Sequence, residues 1–248
     1  FFKNKKFNLI INLAAQAGVR YSLINPTKYI DTNIFSFLNL IELANKHKIK
    51  KIMYASSSSV YGENTNFPLK ENEELNPKNI YAVSKKMNEE IAETHHKISK
   101  INFIGLRFFT IYGEWGRPDM FMFKLFKAFF LKKTFYLNNY GNHLRDFTYI
   151  DDATKIIEKL IQKKFTGNDI FNICSNKPQN ILKIVKKFSK KNKTKIKMIS
   201  INKADVLKTH GCNNKIKKLI NYKKFSNFET FFEKTFKWYK DNKIYNIK

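Results

Sequence analysis

Tyr81 and Lys85 are four residues apart in a segment, 81–98, that contains no Gly or Pro and has a helical pattern. On a helix this spacing places the phenol and the ammonium group on one face. A lysine cation beside a phenol favours the phenolate and lowers the pKa of the tyrosine, which gives a proton-transfer group usable near neutral pH. The pair is therefore predicted to be catalytic.

The spacing alone is weak evidence. The chain has 12 tyrosines and is rich in lysine, so composition predicts about two such pairs by chance, and the sequence contains two. The second pair, Tyr239 and Lys243, is interpreted as a solvated helix face. The first pair differs because an apolar run precedes it, beginning at Ile52 and ending in the four serines 56–59. This pattern indicates a buried strand whose end delivers hydroxyl groups to a site.

The surrounding elements alternate between strand and helix. Such alternation predicts a doubly wound parallel α/β sheet with helices on both faces, in which ligands bind at the carboxyl ends of the strands. Beside the serine-tipped strand, we predict strands at 7–13, 102–107, 169–173 and 195–201, and residues 145–152 are expected to join a further strand to a helix. The predicted helices are 29–47, 81–98, 119–132, 152–164, 180–191 and 227–242. Asp119 is expected to cap the third of these helices.

Composition argues against several classes of function. The net charge is +27, yet only four of the 47 basic residues are arginine, and the lysines are scattered along the chain. Because nucleic-acid recognition relies on arginine forks, we expect no nucleic-acid partner. The two cysteines and five histidines show no metal-binding spacing, and Cys174 is expected to be buried and inert. No uncharged run is long enough to span a membrane, and the expected compartment is the cytoplasm.

Several motifs, in one order, resemble those of a known family. The chain is similar to the extended short-chain dehydrogenase/reductases, which are NAD-dependent epimerases and dehydratases, and most of all to the UDP-glucuronate 4-epimerases of surface-polysaccharide synthesis. The resemblance is close up to about residue 175. The motifs that carry it are LAAQAGVRYS (13–22), ASSSSVYG (55–62), YxxxK (81–85), GLRFFTIYG (105–113), WGRPDM (115–120) and RDFTYIDD (145–152).

The resemblance implies a Rossmann-like NAD-binding domain and a smaller C-terminal α/β substrate-binding domain. The first would comprise residues 1–109 with 146–174, and the second 110–145 with 175–248. The family's glycine-rich pyrophosphate turn is not found in this sequence, so we expect an N-terminal segment of the family fold to be missing from the chain. The cofactor implied is NAD, lined by Ala14, Ala15, Asn33 and Phe108.

The same resemblance assigns catalytic roles. Tyr81, as phenolate, would take the proton from the sugar 4-hydroxyl. Lys85 would lower the pKa of Tyr81 and bind the nicotinamide ribose. Ser57 would form a hydrogen bond with the reacting oxygen, and Ser58 is a second candidate. A 4-keto intermediate would then turn in the pocket and be reduced from its other face, so NAD would be recycled.

Substrate-binding residues follow from the resemblance as well. Thr110 would contact the UDP-sugar, and Arg145 would hold its diphosphate with a bidentate fork. Arg117 and Lys124 are candidates for the uronate carboxylate, with a loop salt bridge and a solvated helix lysine as the alternative interpretations. The family also implies a homodimer formed by the helices at 29–47 and 81–98.

Other reactions and roles stay open at this point. Dehydratases and decarboxylating relatives carry an acidic residue just after the reactive hydroxyl, where this chain has Ser58 and Ser59, and this favours epimerisation. A UDP-glucose/galactose 4-epimerase is the nearest alternative, and Arg117 argues against it. Beyond enzymes, the chain could be an NAD-binding scaffold or an inactive truncated remnant.

Overall fold

A computed structural model describes residues 6–246 of the chain. Its central feature is a parallel four-stranded sheet in the order β1–β2–β3–β7. The strands are β1 (Ile10–Asn12), β2 (Lys51–Ser57), β3 (Asn102–Phe108) and β7 (Asn168–Ile173). Because the register pairs Ser57 with Phe108, the serine tip of β2 and the aromatic tip of β3 lie side by side at the carboxyl edge of the sheet.

Successive apolar side chains of the strands point to opposite faces of this sheet, and both faces are buried. Ile52, Tyr54 and Phe103 point to one face, where they pack against helices α2 (Ser36–Lys46) and α3 (Ile80–Ser99). Met53, Ile104 and Leu106 point to the other face, against α5 (Ile150–Gln162) and α7 (Asn214–Ile220). A parallel sheet covered on both faces is the predicted doubly wound architecture, and this fold class is confirmed.

The helix expected at 29–47 begins earlier than predicted and is not uniform. Asn25 accepts a hydrogen bond from the Lys28 amide and caps α1 (Pro26–Tyr29), whose first residue is a proline. A π-helical turn over Ile30–Phe35 then leads into α2. An N-cap asparagine followed by proline is a strong helix start.

A second group of elements packs on an aromatic core. It contains the strands β4 (Thr110–Tyr112), β5 (Phe135–Asn138), β6 (Leu144–Tyr149), β8 (Pro178–Asn180) and β9 (Ile196–Ile199), and the helices α4 (Phe121–Phe130), α6 (Ile181–Asn192) and α8 (Phe228–Asp241). Strands β4, β6 and β8 form one small sheet, and β5 pairs with β9. Phe126 lies at the centre of the core, with ring centroids of Phe232 and Phe236 each 5.2 Å away.

Two predicted details of this region are wrong. Asp119 does not cap α4: the helix begins at Phe121 after Met120, which makes no side-chain cap bond, and the Asp119 carboxylate binds Arg117 instead. Tyr239 does not lie on a solvated face, because it is 1% exposed and donates a hydrogen bond to the carbonyl of Gly116. In both cases a partner on the 113–119 loop determines the position of the side chain.

Helix α7 packs on the parallel sheet through Ile216 and Ile220. This helix was not predicted from the sequence. The short strands β4, β5 and β8 were not predicted either, because runs of three or four residues show no clear period.

Candidate active site

Strand β2 ends at Ser57, and a tight turn begins directly after it. Ser57 is the N-cap of a 3-10 turn over Ser58–Tyr61, and its hydroxyl accepts a hydrogen bond from the Ser59 amide at 3.2 Å. Ser57 is buried, whereas Ser58 and Ser59 are half-buried. Three hydroxyl groups are therefore held at the carboxyl end of a buried strand, as the sequence predicts.

Helix α3 brings Lys85 to the same strand. Asn79 accepts a hydrogen bond from the Ala82 amide at 2.9 Å and starts the helix just before Tyr81. The Lys85 ammonium is buried and donates to the carbonyl oxygen of Ala55 at 2.7 Å, two residues before Ser57. Burial lowers the pKa of Lys85 to about 8. Lys85 thus contacts β2 two residues before Ser57.

The phenol of Tyr81 behaves differently from the sequence expectation. Burial raises its pKa above the ordinary value of 10.0, while a hydrogen bond with Ser57 and the charge of Arg117 lower it. The Lys85 ammonium group donates to the Ala55 carbonyl. The net shift of the Tyr81 pKa is upward, whereas the sequence predicts a lowered pKa, and the effect of Lys85 on Tyr81 stays a prediction.

Arg117 lies on the 113–119 loop, close enough to Tyr81 to influence its titration. Its guanidinium group forms a bidentate pair with Asp119, with Nε–Oδ1 at 2.9 Å and NH2–Oδ2 at 2.7 Å. Both side chains of this pair are about half exposed. Lys124 is exposed on α4, and its charge contributes to the lowered pKa of Asp119. The Arg117–Asp119 pair of the loop thus lies near Tyr81, and Lys124 follows on α4.

The turn after β1 is built from small residues and tied to the helices. Ala14 is exposed and Ala15 half-buried. The buried amide of Asn33 accepts from the Gln16 amide at 2.8 Å and donates to the Gln16 carbonyl and to Ser84 on α3. Both side-chain N–H groups of Asn33 therefore donate within the protein, and these bonds hold the turn in place. Only the side-chain oxygen can accept a further hydrogen bond.

Tyr29 lies between the turn after β1 and Tyr81. Its hydroxyl donates to the carbonyl of Gly18 at 2.6 Å, and its ring meets that of Tyr81 edge-on at a centroid distance of 6.2 Å. Gly18 has a φ of +105°, which favours glycine, and a Cβ placed there would lie 3.7 Å from an Asp119 oxygen. The turn, Tyr81 and the Arg117 loop therefore share one region.

Phe108 and Thr110 lie where the chain leaves the sheet. Phe108 is half-buried at the end of β3, and Thr110 is half-buried at the start of β4, paired with Phe147. The structure places both at the carboxyl edge of the sheet, as predicted.

Arg145 is directed toward the 200–211 segment. Its guanidinium group donates to the carbonyls of Leu144, Val206 and Leu207 at 2.6–3.0 Å, and burial lowers its pKa to about 10. The same segment is joined to the β1 turn by a bidentate pair between Arg20 and Asp205, with NH2–Oδ2 at 2.7 Å. Segment 200–211 thus contacts Arg145, the residue that the resemblance assigns to the diphosphate.

Two residues near the site, Asp205 and Glu89, were not predicted from the sequence. Asp205 is 185 residues from Arg20, and a single acidic residue carries no signal of such a contact. Glu89 could have been found, because it follows Lys85 by four residues and so lies on the same helix face as Tyr81. In the structure Glu89 forms a buried pair with Arg107.

Other kinds of site are not seen in residues 6–246. This part of the chain holds no group of three or more acidic, cysteine or histidine side chains placed to bind a metal. None of its helices is both long and apolar enough to cross a bilayer. Cys174 is buried, and burial raises the pKa of its thiol, in agreement with an inert role.

The residues present fit the nicotinamide side of a dinucleotide. The small residues Ala14 and Ala15 leave the end of β1 accessible to a ligand. The bond to Ala55 uses one of the three N–H donors of Lys85, so others remain for a ribose hydroxyl. Ligands of doubly wound sheets bind at this edge.

Comparison with known proteins agrees with this geometry. Residues 1–174 match the model of the NAD dependent epimerase/dehydratase family. The chain is 42% identical over 245 residues to the uncharacterized protein MJ1055 of Methanocaldococcus jannaschii, covering 97% of this chain and 74% of that protein. It is 37% identical to UDP-glucuronate 4-epimerase 4 of Arabidopsis thaliana over 258 residues, covering 96% of this chain and 59% of that one.

A solved structure gives the same result. The UDP-glucuronic acid 4-epimerase of Bacillus cereus, in complex with UDP-glucuronic acid and NAD, superposes with a TM-score of 0.89 at 27% identity. The match covers 98% of this chain and 80% of that one. The chain belongs to the NAD dependent epimerase/dehydratase family, whose members are extended short-chain dehydrogenase/reductases.

Proposed function

We propose that the protein interconverts UDP-glucuronate and UDP-galacturonate by inverting the sugar at C4. The observation that carries this proposal is the placement of Tyr81, whose ring meets that of Tyr29 beside the loop that carries Arg117. One turn later on α3, Lys85 reaches β2 two residues before Ser57. A phenol between a hydroxyl and a cation suits proton transfer on a substrate that carries a carboxylate. The names of the Arabidopsis and Bacillus cereus proteins support the same substrate.

In this mechanism Tyr81 takes the proton of the sugar 4-hydroxyl and later returns it. Ser57 forms a hydrogen bond with the same oxygen and, with Tyr81, stabilises the charge that develops there. Ser58 is a second hydroxyl within this turn. NAD, when bound, would supply the hydride acceptor and donor for C4. Lys85 would bind its ribose, with Ala14, Ala15, Asn33 and Phe108 lining the same edge.

The chain's cations would bind the charged parts of the substrate. We assign the uronate carboxylate to Arg117, which would exchange its partner Asp119 for the substrate, with Lys124 as a second candidate. Arg145 would bind the diphosphate, although its N–H groups now donate to backbone carbonyls. Thr110 would contact the sugar.

The absence of a carboxylate after the reactive hydroxyl favours epimerisation over elimination. Ser58 and Ser59 occupy the two positions after Ser57 and are half-buried. Neither can supply the additional acid or base that removal of water or CO₂ requires. The nearest competitor is a UDP-glucose 4-epimerase, which needs no cation for a carboxylate. We also propose that the protein serves surface-polysaccharide synthesis and forms a homodimer through α2 and α3.

The substrate assignment is tested with a panel of sugar nucleotides. The protein is expressed from its gene with any codons that precede Phe1, and is incubated with NAD and either UDP-glucuronate or UDP-glucose. We expect UDP-galacturonate from the first. Arg117→Met should lower kcat/KM for UDP-glucuronate by about 10- to 100-fold through loss of a charged contact, with Arg117→Lys retaining more activity.

Three results would contradict the proposed function or a part of it. Turnover of UDP-glucose alone would reassign the substrate and remove Arg117 from its role. Equal losses for both substrates in Arg117→Met would remove the carboxylate contact. Bound NAD with no turnover of any sugar nucleotide would contradict the enzymatic proposal and favour a scaffold.

A further inference from the structure

Glu89 and Arg107 form a buried ion pair behind the active site. Their side chains are 5% and 3% exposed. Arg107 donates from Nε to Oε1 of Glu89 at 2.9 Å and from NH2 to Oε2 at 2.8 Å. This bidentate geometry fixes both the distance and the relative orientation of the two side chains.

The remaining polar atoms of the pair are satisfied as well. The Ser56 hydroxyl donates to Oε1 of Glu89 at 2.5 Å. Arg107 donates from NH1 to the Tyr61 hydroxyl and to the Glu71 carbonyl, both at 2.9 Å. Burial lowers the pKa of Arg107, but the bonds and charge of Glu89 outweigh it and raise the pKa above its ordinary value. Each oxygen of Glu89 and each nitrogen of the Arg107 guanidinium therefore has a partner within the protein.

Each member of the network is adjacent to a residue of the proposed site. Glu89 follows Lys85 by one helical turn and Tyr81 by two, on the same face of α3. Ser56 directly precedes Ser57 on β2. Arg107 is paired with Ser56 in the sheet register and directly precedes Phe108 on β3.

Stability does not require charges here. A buried ion pair is often no more stabilising than apolar side chains of similar volume, whereas its geometry is far more specific. A well-packed apolar triad would hold α3 on the sheet but would allow it to slide or rotate by small amounts. Such displacements matter for catalysis, because a misplacement of about 1 Å can cost about 100-fold in rate.

We propose that Glu89, held by Arg107 and Ser56, is a positioning residue that fixes α3 against the ends of β2 and β3 so that Tyr81 meets Ser57. The inference rests on the proposed function, since it assigns Glu89 a role in that reaction. Glu89 does not itself contact substrate in this arrangement. It acts through the position of Tyr81.

The first test is independent of turnover. The protein is labelled with ¹³C at tyrosine Cζ, and the Tyr81 resonance is assigned by its loss in Tyr81→Phe. In Glu89→Gln we expect this resonance to shift and to titrate at higher pH, because the Ser57 hydrogen bond that lowers the pKa of Tyr81 is weakened. The control is Glu93→Gln, one turn further on α3, whose carboxylate binds Lys97 and Asn168 outside the network.

The second test separates positioning from folding. The double variant Arg107→Met/Glu89→Leu replaces the pair with apolar side chains and keeps the volume. We expect the double variant to stay folded with a lowered melting temperature, because the Ser56 hydroxyl and the Glu71 carbonyl lose their partners. We expect kcat on UDP-glucuronate to fall by about 10- to 100-fold and KM to change by less than about threefold. Ser56→Ala, which removes one donor only, should show a smaller loss of kcat in the same direction.

The outcomes distinguish this inference from the proposed function. An unchanged Tyr81 resonance in Glu89→Gln would overturn the inference, whether or not the protein is active. A folded double variant with wild-type kcat would also overturn it. No turnover by the wild type would refute the proposed function, while the Tyr81 resonance would still decide whether Glu89 positions Tyr81.

Discussion

The pair Tyr81 and Lys85 shows that a four-residue spacing indicates a catalytic pair only together with the strand and helix around it. Chance supplies about two such pairs in a chain of this composition, and only the first combines a serine-tipped strand with a helix in the right order. The structure places Lys85 against Ala55 and Tyr81 beside Ser57. The spacing and the strand thus predict which residues meet. They do not predict that burial raises the pKa of Tyr81, because burial depends on the packing of elements that are distant in the sequence.

Lys85 gives a prediction about stability and pH. The folded protein releases the Lys85 proton above about pH 8, whereas the unfolded chain holds it up to the ordinary value of 10.5. Between these values the unfolded chain binds more protons, so the free energy of unfolding rises with pH. Going from about pH 7 to about pH 9.5, the wild type should gain about 2 kcal/mol relative to Lys85→Met.

Chemical denaturation at both pH values measures this difference. Lys86→Met, at the neighbouring and less buried lysine, is the control and should follow the wild type. Parallel pH dependence in the wild type and in Lys85→Met would show that Lys85 keeps an ordinary pKa in the folded protein.

At the scale of elements, the loop that carries Arg117 is held by the C-terminal helix. Tyr239 of α8 donates to the Gly116 carbonyl at 3.2 Å, and Trp238 packs on Trp115 with a centroid distance of 5.2 Å. Glu114 accepts a hydrogen bond from Tyr149 at 2.7 Å. The two contacts with α8 join residues more than 100 positions apart, and for this reason the burial of Tyr239 could not be predicted from the sequence.

We expect Tyr239→Phe to affect substrate binding more than stability. It removes one hydrogen bond, worth about 1 kcal/mol, and loosens the loop that presents Arg117. KM for UDP-glucuronate should rise several-fold with little change in kcat, as measured by initial-rate kinetics.

Tyr222→Phe is the matched control for this experiment. Its hydroxyl donates to Asp152, in the core on the α5 and α7 face of the parallel sheet. The control variant should lose stability without a change in KM. If Tyr239→Phe and Tyr222→Phe raise KM equally, α8 does not position the loop.

Regular elements were predicted more reliably than their ends and connections. The long helix α3 and the buried strands β2 and β3 follow from clear periodicity. The early start at Pro26, the pairing of Asp119 with Arg117 and the docking of α7 on the sheet depend on local capping or distant partners. No period in the sequence reports these interactions.

At the scale of the whole molecule, the high positive charge does not create an arginine-based nucleic-acid surface. Arg20, Arg107 and Arg117 each form a bidentate pair with a carboxylate. Arg145 donates to backbone carbonyls. All four arginines are thus engaged within the protein, and the charge of +27 comes mainly from dispersed lysines. That nucleic acid is not a partner stays a prediction from the sequence.

The two packing units meet around the proposed site. The parallel sheet supplies Ser57, and helix α3 on its face supplies Tyr81 and Lys85. The 113–119 loop supplies Arg117, and β6 supplies Arg145. The division into a cofactor-binding and a substrate-binding domain, which the sequence predicts, stays a prediction and is compatible with this arrangement.

The most direct test of the account follows the hydrogen at C4 of the sugar. UDP-glucuronate with deuterium at C4 is incubated with the protein and NAD, and the product is analysed by mass spectrometry and NMR, with Tyr81→Phe as the inactive control. Removal and return of hydride at one carbon predicts UDP-galacturonate that keeps deuterium at C4, with no solvent hydrogen at C4 or C5. Loss of the label to solvent, exchange at C5, or full activity in Tyr81→Phe would contradict the account.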